Sequence, residues 1–321
     1  MPPHSKNRLP RSPKIIFMGT PEFALPTLEA LIMADHHIQC IVTQPDRPKG
    51  RGKRMAPPPV KRLGMEHKID VLQPEWAAEP AFLDLLNKKA PDLIIVVAYG
   101  QILKKPLLVI PEWGVINIHP SLLPKYRGAA PIQRAILNRE KETGLSVMVL
   151  NEALDSGPVL FQERVPIGEE DTAGQLHDRL ALNAGKLMIK SLIHMNEHTI
   201  RERSQDDSKA SYAPKIERKT GSIDWGQSAR QISALMRALD PKPGAFTLLQ
   251  GKEVKLYSPK VLDEKEVGGV PGRVSGLKQG LCAETGRGII RVGEIQFAGR
   301  KRIPVGDFLR GFPVEEGTRL G

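Results

Sequence analysis

Between Lys14 and His198, short β-branched runs alternate with segments whose apolar residues recur at helical spacing, and no other feature narrows the fold as much. KIIFMG (Lys14–Gly19) ends in Gly and gives way to Pro21 and ALPTLEALI, which reads as a strand turning into a helix. IQCIVTQ (Ile38–Gln44), IDVLQ (Ile69–Gln73), DLIIVVAYG (Asp92–Gly100), GVINIHPS (Gly114–Ser121), GLSVMVL (Gly144–Leu150) and VLFQERVPI (Val159–Ile167) read as further strands. VKRLGMEHK, EPAFLDLLNKKA and AAPIQRAILNR carry helical spacing between them, and Thr172–His198 reads as one long amphipathic helix. Strands and helices in this order predict βαβ units and an α/β fold with a mostly parallel sheet. DLIIVVAYG is apolar without alternation, as a strand covered on both faces must be. Gly19-Thr20-Pro21 stands where a dinucleotide fold would carry G-x-G-x-x-G, but the later glycines are missing, which argues against a nicotinamide enzyme.

The pattern changes after the long helix. RERSQDDSKAS (Arg201–Ser211) is polar and poor in helix formers, so residues 201–215 read as a linker. SARQISALMRAL (Ser228–Leu239) is a helix broken by Pro241 and Pro243. Short β-rich pieces follow, AFTLL, EVKLYSP, GRVSGL, GLCAET and GIIRVGEIQFAG, divided by Gly-containing turns. They predict a smaller antiparallel barrel or sandwich over residues 216–321, beside a larger domain over 14–200 and a flexible N-terminal extension over 1–13. No apolar run reaches the roughly 18 residues of a membrane span, and the basic start lacks a cleavable hydrophobic core. Two cysteines, Cys40 and Cys282, make no disulfide framework, which points to the cytoplasm. The net charge of +11 is unevenly spread. Residues 1–62 hold 11 basic and 4 acidic side chains, and residues 216–321 hold 18 and 12, so both ends suit a polyanionic partner.

Chemistry concentrates at Asn117-Ile118-His119. Residues two apart on a strand share a face, so the Asn amide and the imidazole project together. They fall near the carboxyl end of a parallel strand, where open α/β sheets bind ligands. Asp155, in NEALDSG directly after the next strand, carries a turn signature that bends its carboxylate back toward a neighbouring strand end. Together the three residues form an acyl-transfer set. His119 as a cation opposite Asp155 stabilises a developing oxyanion, Asn117 donates to the same oxygen, and Asp155 takes a proton from an attacking amine, directly or through water. Neither Cys lies near, so direct transfer is expected. His194-Met195-Asn196-Glu197-His198 matches an inverted zinc-protease string, yet no third ligand stands nearby and a solvated helix end is the simpler reading.

These residues sit in a wider pattern. GTPEFALPTLEAL, TQPDRPKGRGK, VVAYGQIL, INIHPSLLPKYRGAAPIQRAI and LDSG together resemble the methionyl-tRNA formyltransferase family of folate-dependent formyltransferases, and the likeness runs through nearly the whole chain. The resemblance implies a Rossmann-like N-terminal domain and a C-terminal OB-type β-barrel. It also implies transfer of the formyl group of 10-formyltetrahydrofolate to the α-amino group of methionine on initiator tRNA, with no metal. It places the catalytic residues at Asn117, His119 and Asp155, and the folate-contacting residues at Ser121, Leu122, Leu123 and Pro124. Pro120 stands where Gly or Ala often follows the His.

Thr43–Arg62 carries seven basic residues against Asp46 alone. Such a loop cannot bury itself and is expected to be mobile. Beside a site for aminoacyl-tRNA it makes a clamp on the acceptor end, through Arg47, Lys49, Arg51, Lys53 and Arg54. A formyltransferase with a small amine acceptor would require neither this loop nor a basic second domain. A tRNA-binding protein without catalysis would not keep Asn117, His119 and Asp155. A monomer without membrane attachment is expected.

Overall fold

β1 (Ile15–Gly19) is buried along its whole length and forms the centre from which the first sheet grows in both directions. The computed structural model describes residues 9–10, 12–50, 52, 54–197, 199–264, 269–278 and 280–321. Chain order then runs α1 (Leu25–Met33), β2 (Ile38–Val42), β3 (Arg47–Lys49), β4 (Arg54–Ala56), α2 (Pro59–Glu66), β5 (Val71–Leu72), α3 (Pro80–Lys89) and β6 (Leu93–Val97). It continues with α4 (Lys105–Leu108), β7 (Val115–His119), α5 (Pro131–Leu137), β8 (Glu142–Val149), β9 (Val159–Pro166) and α6 (Ala173–Asn196). Pro stands at the first or second position of α1 through α5, where its missing N–H has no helical partner to lose.

The seven-stranded sheet has the order β5-β2-β1-β6-β7-β8-β9. β1 pairs in parallel with β2 and β6, and β6 in parallel with β7. The first antiparallel pairing is β7 with β8, where Asn117 faces Met148 and His119 faces Ser146. The strand order reverses at β1, which sets a crevice at the carboxyl ends, the usual ligand side of such sheets. β6, read above as a strand covered on both faces, is buried at all five positions. Ile16, Met18, Cys40, Val42, Ile94 and Val96 form one core with Phe82 and Leu86 of α3.

By contacts the chain groups into two compact units. The first holds residues Met1–Ala129, Thr143–Pro166 and His177–Ala213, and the second holds Ala130–Glu142, Ile167–Leu176 and Pro214–Gly321. In the second unit, α7 (Ala229–Ala238) opens with a capping box in which Ser228 and Gln231 satisfy each other's backbone N–H. β10 (Ala245–Leu249), β11 (Lys252–Asp263), β12 (Val274–Gly276), β13 (Leu281–Glu284), β14 (Ile289–Phe297) and β15 (Ile303–Pro304) precede α8 (Val305–Gly311). These strands form an antiparallel sheet ordered β10-β11-β14-β13-β12, with β15 on β14. The chain end closes it. Leu320 N–H donates to Gly272 and Gly321 N–H to Leu248, so the last residues bridge both edge strands into the expected OB-type barrel. Trp225, Ile232, Met236, Leu256, Ile290 and Val292 fill its core.

Candidate active site

β7 ends in the pair that matters. Asn117 is half-buried, and its side-chain amide makes no hydrogen bond with any described residue, which leaves it free for a ligand. His119 is buried, and its Nε2 lies 2.9 Å from the carbonyl oxygen of Tyr126. A carbonyl only accepts, so Nε2 carries a proton and points it there. Nδ1 then faces Asp155 Oδ2 at 3.6 Å, with only 6% and 13% of the two side chains exposed. The same carboxylate oxygen accepts from Gly128 N–H at 2.8 Å. His119 and Asp155 therefore meet, with the carboxylate oriented by the Gly128 amide, while Asn117 stands two positions before His119 on β7. Because β8 runs antiparallel to β7 and ends opposite Ile116, the loop after β8 folds back along β7 to bring Asp155 to His119.

NEALDSG folds as its composition demands. Asn151 Oδ1 accepts from Ala153 N–H and from the Ser156 hydroxyl, an Asx-type turn. Asp155 takes φ of +47°, which Asp tolerates better than most residues. Gly157 is fixed by space, because a Cβ there would stand 1.8 Å from the carbonyl oxygen of Val149.

The segment Ser121–Pro124 is held from below. Ser121 is fully buried and donates to the Lys125 carbonyl at 2.6 Å. Ser146 Oγ donates to the Ser121 carbonyl at 2.7 Å and accepts from Leu123 N–H at 3.1 Å. Gln162 Nε2 donates to Leu123 O at 2.8 Å and to Ser146 Oγ at 3.0 Å. Leu123 packs on Met148 and Val159, while Leu122 and Pro124 stay half-buried. In this arrangement the side chains of Ser121 and Leu123 hold the loop's shape, and Leu122 and Pro124 are the members left with accessible surface.

Part of the basic loop is regular. β3 and β4 form a two-stranded antiparallel ribbon, with Arg47 opposite Ala56 and the Lys49 backbone opposite that of Arg54. Gly50, at φ of +76°, lies in the turn. The foot that leads into β3 is tied down. Lys61 Nζ donates to Asp46 at 2.9 Å, and Gln73 Nε2 donates to Asp46 at 2.8 Å and to the Gln44 carbonyl at 2.9 Å. The Gln73 and Lys61 bonds hold the Asp46 carboxyl below its usual range. Arg47 and Arg54 are exposed, whereas Arg51 and Lys53 lie outside the described residues.

Two other sequence candidates resolve differently. His194 Nδ1 lies 2.7 Å from Thr199 Oγ1 and its ring sits against Phe161, while His198 lies outside the described residues. Burial pushes the Cys40 thiol up to about 11 and raises Cys282 as well, so neither supplies a thiolate near neutral pH. Sequence reasoning passed over Arg127, Gln205, Ser146 and Gln162. Arg127 lies within KYRGAA, where an Arg directly before Gly is the one local signal the sequence offers. Gln205 sat in a polar stretch with no periodicity to single it out.

A family model described as formyl transferase matches residues 13–192, and one described as formyl transferase, C-terminal domain, matches residues 215–313. The methionyl-tRNA formyltransferase of Syntrophus aciditrophicus is 46% identical over 308 residues, covering 96% of this chain and 98% of its own. That of Geobacter sulfurreducens is 46% identical over 309 residues, covering 96% of each. Among solved structures, the sugar 3N-formyl transferase WlaRD, crystallised with dTDP and 5-N-formyl-THF, gives a TM-score of 0.67 at 17% identity, over 91% of this chain and all (100%) of that one. HypX from Aquifex aeolicus in complex with tetrahydrofolic acid gives 0.64 at 18% identity, over 97% of this chain and 51% of that one. At these identities the structural neighbours speak for the fold.

Proposed function

The chain belongs to the methionyl-tRNA formyltransferase family of formyl transferases, and from that premise we propose how its residues divide the work of moving a formyl group from 10-formyltetrahydrofolate to the α-amino group of methionine on initiator tRNA. The observation that carries the reading is the Asn117 amide, bonded to no described residue and two positions from His119 on β7, with the Asp155 carboxylate 3.6 Å from His119 Nδ1. In a direct transfer the amine lone pair attacks the formyl carbon, and the carbonyl electrons move onto its oxygen. Asn117 donates to that oxygen, and the His119 imidazolium, braced between Asp155 and the Tyr126 carbonyl, supplies positive charge beside it. Asp155 receives the proton that the amine sheds, directly or through one water, and the proton returns to N10 as the C–N10 bond breaks. No covalent enzyme intermediate is required, which agrees with two cysteines kept as thiols by burial.

Residues 121–124 flank the folate, with Leu122 and Pro124 offering apolar surface and the buried Ser121 and Leu123 fixing the loop. The ribbon β3–β4 grips the acceptor end of the tRNA through Arg47, Lys49, Arg51, Lys53 and Arg54. An elongated polyanion also suits the basic residues of the second unit. The same reading has the chain act as a monomer in the cytoplasm, and among the described residues no helix is long and apolar enough to cross a membrane.

The ribbon gives the test of the tRNA half of this reading. Arg47 and Arg54 are exposed and make no ion pair with another described residue. The double variant Arg47→Glu/Arg54→Glu is expected to raise KM for Met-tRNA about tenfold or more and to flatten its salt dependence, since two phosphate contacts and their released counterions are lost. KM for the folate donor should stay put. Equal effects on both substrates, or none on tRNA, would detach the ribbon from acceptor binding.

A further inference from the structure

We propose that Gln205 is a positioning residue for Asp155, acting through a strap of residues 203–213 that holds the carboxylate in place during transfer. The inference rests on the reading that Asp155 serves formyl transfer. Gln205 Nε2 donates to the carbonyl of Asp155 at 2.9 Å and to that of Gly157 at 2.7 Å, so one amide grips both ends of the turn that carries the carboxylate. Asp155 needs such a grip. A non-Gly residue at φ of +47° persists only where its surroundings over-determine it.

Gln205 is itself fixed. Its Oε1 accepts from Arg127 Nε at 3.1 Å and Nη2 at 2.8 Å, and the same Nη2 donates to Asp207 at 2.7 Å. The Arg127 side chain is only 4% exposed, an unusual place for a guanidinium without such partners. The next residue, Gly128, donates its N–H to Asp155 Oδ2. A closed circuit results, running from the Asp155 carboxylate through Gly128 and Arg127 to Gln205 and back to the Asp155 backbone. Around it the strap is laced to the loop. Arg127 N–H donates to the Ser211 carbonyl, Ala213 N–H to the Arg127 carbonyl, Tyr126 N–H to Ser211 Oγ, and Arg203 exchanges backbone bonds with Val159. Gly128 allows the close approach, since a Cβ there would stand 2.9 Å from the Ala213 carbonyl oxygen and φ is +120°. The polar composition that made this stretch read as a linker is what supplies the circuit's donors and acceptors.

The experiment is a double-mutant cycle in single-turnover formyl transfer to Met-tRNA, with Gln205→Leu, Asp155→Ala and the pair. Gln205→Leu keeps the volume and removes the bonds. It is expected to slow transfer about tenfold or more, as small misplacements at a reacting centre do, with KM for both substrates near wild type. Added to Asp155→Ala it should cost nothing further, because it acts only through that carboxylate. Hydrogen exchange at the Gly128 amide should speed up in Gln205→Leu while melting stays cooperative. Arg127→Lys, which keeps a charge but not the fork, should show a weaker form of both effects. An unchanged rate, additive losses in the pair, or unaltered Gly128 exchange would overturn the positioning role. If Asp155→Ala itself transfers at the wild-type rate, the site reading fails instead, whatever Gln205→Leu does.

Discussion

His119→Ala is expected to lower turnover by about a hundredfold or more while donor binding stays within a few-fold of wild type. The imidazole lies between Asp155 and the Tyr126 carbonyl, and on the proposed reading it acts on the formyl oxygen as negative charge develops there. Losing one preorganised stabiliser of a developing oxyanion costs about 3 kcal/mol of transition-state stabilisation, and the His119 ring, with both nitrogens committed to Asp155 and Tyr126, would act as one through its charge. Asn117→Ala should show a loss of similar order, and it is the cleaner variant because the amide is half-exposed and bonded to no described residue. Steady-state kcat, donor affinity by titration and melting temperature together separate chemistry from folding. A kcat within a few-fold of wild type in both variants would remove these residues from the reaction.

The second large effect is structural at its origin. Gly157→Ala would set a methyl 1.8 Å from the Val149 carbonyl oxygen and 3.0 Å from its carbon, backbone atoms that cannot rotate aside. Either the end of β8 or the turn must move, at about 1–3 kcal/mol of stability by the measure of overpacked sites. Asp155 is two residues away and Gln205 holds the Gly157 carbonyl, so the displacement reaches the carboxylate. Turnover should fall by an order of magnitude or more, together with a lower melting temperature. Gly306→Ala supplies the control, since a Cβ there meets nothing within 4 Å and φ is not positive. Since Gly306 lies within α8, where Ala is the better helix former, the substitution should leave turnover unchanged and the melting temperature level or slightly raised. Equal behaviour of the two variants would contradict the packing argument.

The sheet was legible because its signals are local. Buried runs such as Leu93–Val97 cannot be written with polar residues, and the carboxyl ends of such strands form a crevice whatever the side chains. Asn117 and His119 were visible for the same reason, as a polar pair two apart at an apolar strand's end. Asp155 needed its turn signature as well. Contacts of long range were not legible. Nothing in the composition of Arg201–Ser211 says that Gln205 closes onto Asp155, because that pairing depends on where β7, β8 and Arg127 bring the chain. The barrel's closure by Leu320 and Gly321 is hidden likewise, since these residues join edges made by strands far back in sequence. The basic loop was read by charge alone, and its ribbon depends on Lys61 and Gln73 tying Asp46 from outside the loop.

On the proposed reading, Asn117, His119 and Asp155 promote direct transfer of formyl to the amine of methionine on tRNA. A competition assay decides this: 10-formyltetrahydrofolate labelled in the formyl carbon is supplied together with equimolar Met-tRNA and glycinamide ribonucleotide, and label is followed into each acceptor. Label is expected in formyl-methionyl-tRNA and almost none in the ribonucleotide, with the first signal lost in Asn117→Ala. Label flowing chiefly to the small amine, or equal transfer to Met-tRNA with and without the Asn117 amide, would contradict it.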